Sequence, residues 1–313
     1  MLKYFFKKSH PNVAKGLIAP TLPKTHHSET LNLTTRADHI QQYHDAFHWP
    51  QALSEYLHPA YLAMHALQAQ APLILNPAQP FAAMGLVHMS NFMHYTRLPK
   101  CDETLAIRCE FGELWEQKRG WVFTVITQAT DQSKNVIFNL ESHYLSRAKH
   151  RCHSDDIPAY APTKIAIPEM DSVAYKQIMC ALPADLGRKY ATLSGDYNPI
   201  HLHPWLSRWF GFKQPIIHGM WSKARALSEI AQTWSQESPR LPINCSVQFT
   251  DFIPLPNRIT LHQMQDTQRT VLLGLPEGGV VTQTHRPYFV VEVDLANAQG
   301  DNIVGDDEAS VSG

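Results

Sequence analysis

The stretch YATLSGDYNPIH, residues 190–201, holds a carboxylate, a carboxamide and an imidazole within six positions. Ser194-Gly195 and Asn198-Pro199 are both turn signals, so the loop bends rather than continuing as helix. A bend lets Asp196 and His201 face one point, and a carboxylate and an imidazole that share a water or a substrate proton form an acid/base pair. Asn198 either ties the loop through its backbone or orients a neighbour. The bland alternative is a solvated turn with His201 as an ordinary surface residue. Further on, PIIHGMWSKARALSEI puts Gly219 at the start of a helix. Unpaired N–H groups and a partial positive charge collect at such a start, and glycine lets a ligand approach the backbone closely. Its N–H is a candidate donor to a carbonyl oxygen that gains charge; alone, Gly219 would read as a simple cap.

The elements that hold these residues follow from the rest of the chain. With 313 residues, 44% of them hydrophobic, there is enough material for about two domains of ~150 residues. The formal net charge of −1 supplies no field for nucleic acid or anionic lipid. The opening MLKYFFKKSH has three consecutive apolar residues, short of the ~7–15 of a secretory signal, and no apolar run nears the ~20 of a membrane span. The five cysteines, Cys101, Cys109, Cys152, Cys180 and Cys245, are scattered, with neither disulfide nor zinc spacing, which fits a reducing, cytoplasmic setting.

The two halves share three landmarks in the same order. Asp38-(x4)-Tyr43 matches Asp185-(x4)-Tyr190, His58-Pro59 matches His218-Gly219, and Phe92-(x5)-Leu98-Pro99 matches Phe249-(x5)-Leu255-Pro256. Their offsets are 147, 160 and 157, so the second half carries 13 extra residues between its tyrosine and its helix, where NPIHLHPWLSRWF lies. In each half a helical stretch (YLAMHALQAQA; MWSKARALSEIAQTW) precedes β-rich sequence, read as an antiparallel meander with the helix on the sheet, an α+β unit. VVTQTH is among the expected strands. Alternation in FTVITQAT predicts strands with one wet face. Residues 1–150 and 169–313 are expected to be the two units, 151–168 a linker with three prolines, and GDDEASVSG a disordered tail.

YATLSGDYNPIH followed by IIHGM resembles the MaoC-type (R)-specific enoyl-thioester hydratases and dehydratases over residues ~170–295. FAAMGLVHMSN also has the look of that family, and the first half resembles the motif-free partner found in its two-domain members. The resemblance implies a tandem hotdog, each unit an antiparallel sheet wrapped around one long helix. It implies reversible hydration of a trans-2-enoyl thioester to a (3R)-3-hydroxyacyl thioester, in fatty acid metabolism. Asp196 and His201 match the catalytic pair that holds the water and handles the α-proton, and Gly219 matches the backbone donor to the thioester oxygen. Ser194, Gly195, Asn198 and His218 frame the loop and the helix start, and are assigned to substrate binding. No cofactor and no metal are implied. The partner is an acyl-CoA or acyl carrier protein thioester, and the two hotdogs pair within the chain, with or without a homodimer.

The first half lacks each requirement. Pro59 stands at the place of Gly219 and has no N–H, Trp49 stands at the place of Asp196, and the added loop is missing. Its expected work is to pair sheets and leave a groove for the acyl chain, with PLILNPAQPFAAM read mainly as core. Three rivals remain: a metal site at His201, His203 and His218, a hotdog thioesterase, and a non-catalytic acyl-thioester-binding subunit. Lys213, Lys223 and Arg225 are read as solvated surface or as contacts for a phosphate-bearing carrier.

Overall fold

The computed structural model describes residues 7–23, 30–149, 154–169, 173–234, 243–281 and 286–295. The tail GDDEASVSG, most of VVTQTH, the first linker residues and Cys152 lie outside them. The helices are α1 (Pro11–Ala14), α2 (Ala37–Phe47), α3 (Pro59–Ile74), α4 (Leu186–Ser194), α5 (Pro204–Arg208) and α6 (Gly219–Ala231). The strands are β1 (Leu31–Thr34), β2 (Val87–Tyr95), β3 (Thr104–Gln117), β4 (Gly120–Thr130), β5 (Val136–Arg147), β6 (Ala174–Leu182), β7 (Ile243–Phe249), β8 (Asn257–Gln265), β9 (Arg269–Pro276) and β10 (Phe289–Leu295).

The ten strands of the described residues form one sheet in the order β1-β3-β4-β5-β2-β7-β10-β9-β8-β6. The halves meet at an antiparallel seam running from Ser90↔Gln248 to Tyr95↔Ile243. This is not the expected meander. The first strand after each long helix leaves its sequence neighbour and goes to the seam, where it pairs with its counterpart from the other half. The architecture is a double hotdog, with α3 packed on β3 and β4, α6 on β9 and β10, and the two helices against each other.

The helix sequences explain that placement. Helix α3 is apolar around most of its circumference, the mark of a buried helix, whereas α6 is buried with polar residues on it. From Met220 to Ala231, every residue of α6 except Arg225 is buried. In α3 the buried Gln70 donates to Thr127 Oγ1 at 2.9 Å and accepts from the Tyr144 hydroxyl at 2.5 Å, so its amide is not left unpaired. The wet face expected of FTVITQAT is confined to its Gln128 end. Thr124, which should have been exposed, is buried because a bulge in β3 turns the Glu113 N–H onto its hydroxyl at 2.9 Å.

Two of the three repeat landmarks are equivalent in space. Tyr43 meets His58 edge-on at 5.3 Å, and Tyr190 meets His218 the same way at 4.8 Å. The third is out of register. Leu57 N–H bonds Pro99 O, and its counterpart Ile217 N–H bonds Ile253 O, both at 2.9 Å. Pro99 therefore corresponds to Ile253, three residues before Pro256. The shared Leu-Pro is a coincidence of composition.

Deleting residues 1–150 would bare the β7 edge and the flank of α6, an unpaired strand edge beside apolar surface. The remaining half should aggregate on expression. Size-exclusion chromatography and a melting curve check this; a soluble half with a cooperative melt contradicts it.

Candidate active site

The reactive loop is built by a chain of local hydrogen bonds. Helix α4 ends at Gly195, whose φ of 75° is in the left-handed region and whose N–H bonds Ala191 O. Ser194 Oγ accepts the Asp196 N–H at 3.2 Å, Asp196 Oδ1 accepts the Asn198 N–H at 3.2 Å, and Asn198 Oδ1 accepts the Ile200 N–H at 3.4 Å. The last bond caps a 3-10 turn over Pro199–His201. Ser194, Gly195 and Asn198 thus shape the loop, and all three also line the cleft below. A Cβ on Gly187 would lie 2.1 Å from the His201 carbonyl oxygen, so the turn sits directly on the backbone of α4.

His201 Nδ1–H donates to Ile216 O at 2.7 Å, which leaves Nε2 as the lone-pair nitrogen. Its ring stacks on His218 with centroids 3.6 Å apart. His218 stands at the N-cap position of α6, and its Nε2–H donates to the Asp196 carbonyl at 3.0 Å, with Asp196 Oδ2 at 3.9 Å. Gly219 follows in the first helical turn, where its N–H has no intrahelical acceptor. Its missing side chain matters: a Cβ there would meet the Phe249 ring at 3.0–3.2 Å. The bend thus brings Asp196, His201, His218 and Gly219 together, and His201 is buried rather than a surface residue.

Burial keeps both imidazoles neutral. Desolvation holds His201 below its ordinary pKa, against the opposing pull of Asp196 and the Ile216 carbonyl. Desolvation and the neighbouring His201 hold His218 far below it. Asp196 keeps 44% of its side chain exposed, so the pair joins a partly solvated acid to a dry base. One ligand atom each of Asp196, His201 and His218 lies within 4.8 Å of the others. Imidazole lone pairs lie in the ring plane, however, and with the rings stacked at 28° and 3.6 Å they lie in two nearly parallel planes, a poor start for two ligands of one tetrahedral ion. His203, the third histidine of the metal reading, is exposed beside Trp205.

These residues open on a cleft of about 1550 Å³ lined by both halves. The N-terminal half contributes Met64, Leu67, Ile74, Leu75 and Met84, so the PLILNPAQPFAAM tract, read mainly as core, also walls the cleft. Linker residues 159–164 border it too: Tyr160 N–H bonds Glu116 O at 2.7 Å and fixes them along β3. The cations expected near its mouth are elsewhere. Lys223 is fully buried, pushed down to about 8 by desolvation, and donates to Asn91 Oδ1 at 2.7 Å. Arg225 pairs with Glu229, and Lys213, though exposed, does not line the cleft. Exposed Arg119, Arg147, Lys164 and Arg286 do, and no local motif marks them.

Solved structures share the double hotdog fold of this chain. A MaoC-like dehydratase from Phytophthora capsici superposes with a TM-score of 0.69 at 17% identity, covering 92% of this chain and 99% of the other. A conserved hypothetical protein of Mycobacterium tuberculosis, described as a double hotdog, superposes with a TM-score of 0.56 at 12% identity over 88% and 98%. The sequence is more particular: residues 168–271 match the MaoC like domain family. The chain is 29% identical over 151 residues, 48% of its length, to 3-hydroxyacyl-thioester dehydratase X of Mycobacterium tuberculosis (strain ATCC 25618 / H37Rv). The match spans about half, 51%, of that relative.

The buried histidines give stability a sign in pH. Desolvation pushes His88 down to about 3 and His44 and His65 to about 4, and lowers His58, His201 and His218. Unfolded histidine titrates near 6.5. The unfolded chain therefore takes up protons that the folded chain refuses, and stability, full above about pH 6.5, falls as pH drops from there toward about 4. Tm should decline over that window in a thermal-shift series; a level Tm contradicts the neutral buried state.

Proposed function

We propose that this protein catalyses reversible hydration of a trans-2-enoyl thioester to a (3R)-3-hydroxyacyl thioester, carried on CoA or acyl carrier protein, in fatty acid metabolism. One observation carries the reading: a partly exposed carboxylate, a neutral imidazole with a lone-pair nitrogen and a glycine N–H at a helix start all open on one cleft. Asp196 and His201 hold the water, and between them move the proton at the α-carbon and the hydroxyl at the β-carbon. The α-proton of a thioester is only weakly acidic, so negative charge must be met at the oxygen. The Gly219 N–H and the positive end of α6 meet it. Ser194, Gly195, Asn198 and His218 shape the wall against which the substrate lies. The dehydratase activity named for the mycobacterial relative supports this assignment, as does the MaoC like domain over the catalytic half.

The hotdog unit of residues 1–150, joined through 151–168 to that of 169–313, is assigned a supporting role. At its helix start Pro59 has no N–H, and Trp49 packs on His58 with centroids 4.6 Å apart where Asp196 bonds His218 in the other half. Both His58 ring nitrogens are occupied, by the Ala60 N–H at 2.9 Å and by Ser228 Oγ at 3.0 Å. None of the four described cysteines is in a disulfide, and a cytoplasmic setting is part of this reading.

Loss of enoyl absorbance with crotonyl-, octenoyl- and dodecenoyl-CoA tests the reaction and reads chain length. Asp196→Asn and His201→Ala should each lower kcat at least ~100-fold with the fold intact; near-normal turnover in either removes that residue from the mechanism.

Gly219→Pro removes the donor and Gly219→Ala keeps it, while both set a Cβ against Phe249. Crowding is thus common to the two, and alanine is not a neutral change. The proline variant should be slower than the alanine variant by a further ~100-fold, the effect of one oxyanion donor. Equal rates in two folded variants would discard the Gly219 N–H.

A further inference from the structure

We propose that His39 and Gln68, both in the N-terminal half, are positioning residues for Asp196. The inference rests on the hydratase reading above and extends it to residues outside the catalytic half.

The last carbonyls of a helix have no intrahelical partner. At the end of α4 two of them are met by side chains from the other half. Gln68 Nε2–H, from α3, donates to Ser194 O at 2.7 Å, and His39 Nε2–H, from α2, donates to Leu193 O at 2.8 Å. His39 is fixed in that tautomer because its Nδ1 accepts the Tyr61 hydroxyl at 2.7 Å. The Gln68 amide also reaches the turn itself, lying 3.2 Å from where a Cβ on Gly195 would stand. Asp196 follows directly, locked to this segment by the Ser194 hydroxyl and its own bond to the Asn198 N–H. Displacing Ser194 therefore displaces the carboxylate.

His201 is held differently, by Ile216 O and by contact with Gly187, within its own half. The segment carrying Asp196 is thus held from both halves, by His218 on one side and by Gln68 and His39 on the other, whereas these anchors of His201 lie in one half. The repeat sharpens the point. At the offset of the helix starts, Gln68 corresponds to Ser228, whose short side chain bonds His58 directly. The longer Gln68 reaches past its histidine to the loop backbone, and His218 Nδ1 has no partner among the described residues.

The test uses the full chain, with steady-state kinetics on an enoyl-CoA that the wild type hydrates and hydrogen exchange of the 190–201 segment. Gln68→Met and His39→Phe keep bulk and lose the donor. Each should lower kcat about tenfold, with KM changed less than about twofold, Tm close to wild type and faster exchange in the segment. His39→Gln, which restores an N–H donor, should recover most of kcat. A purely structural role would lower Tm and leave kcat per folded molecule alone. Wild-type kcat in both folded donor-free variants overturns the proposal, whatever the exchange shows. Should the wild type turn over no enoyl thioester, the hydratase reading falls by itself. Exchange alone then decides the anchoring: faster exchange upholds it and unchanged exchange overturns it.

Discussion

The antiparallel ladder between β2 and β7 is the constraint on which the rest depends. It makes one sheet of two five-stranded halves, and that sheet gives α3 and α6 a common surface on which they pack side by side. Only with the helices so placed does the N-terminus of α6 face a cleft whose other wall comes from α3 and the segment after it. An isolated half would keep the reactive residues in sequence but would lose that wall.

Within this frame the site combines a wet and a dry component. The carboxylate of Asp196 stays in contact with water, while His201 and His218 are stacked and desolvated. Burial opposes charge on the imidazoles, and their single hydrogen bonds to carbonyls fix which nitrogen carries the proton. In the proposed reaction such an imidazole needs no cationic neighbour to stay neutral and accept a proton near neutral pH.

The local geometry of the candidate site was legible in the sequence because it is built by near neighbours. Asp196, Asn198 and Pro199 build a capped turn from their own side chains, and Gly219 marks a helix start; neither needs knowledge of a distant residue. The halves' tyrosine and histidine landmarks were readable for the same reason. What depended on packing between the halves was not. Lysine in a helix reads as a wet face, yet Lys223 lies in a helix buried on nearly every side. Nothing near Gln68 or His39 points to a loop more than a hundred residues away, and the Leu-Pro match misled because two residues carry too little information to fix a register.

The indole of Trp49 against His58 has a consequence for stoichiometry. A symmetric pair of identical hotdogs would present two equivalent sites, and any substitution would appear in both. Here one of the two positions is occupied by a side chain of the protein itself, and its histidine has no nitrogen to spare. On the proposed hydratase reading, the described residues then offer one such site per chain, for which hyperbolic saturation is expected, and the walls contributed by the two halves are free to change independently.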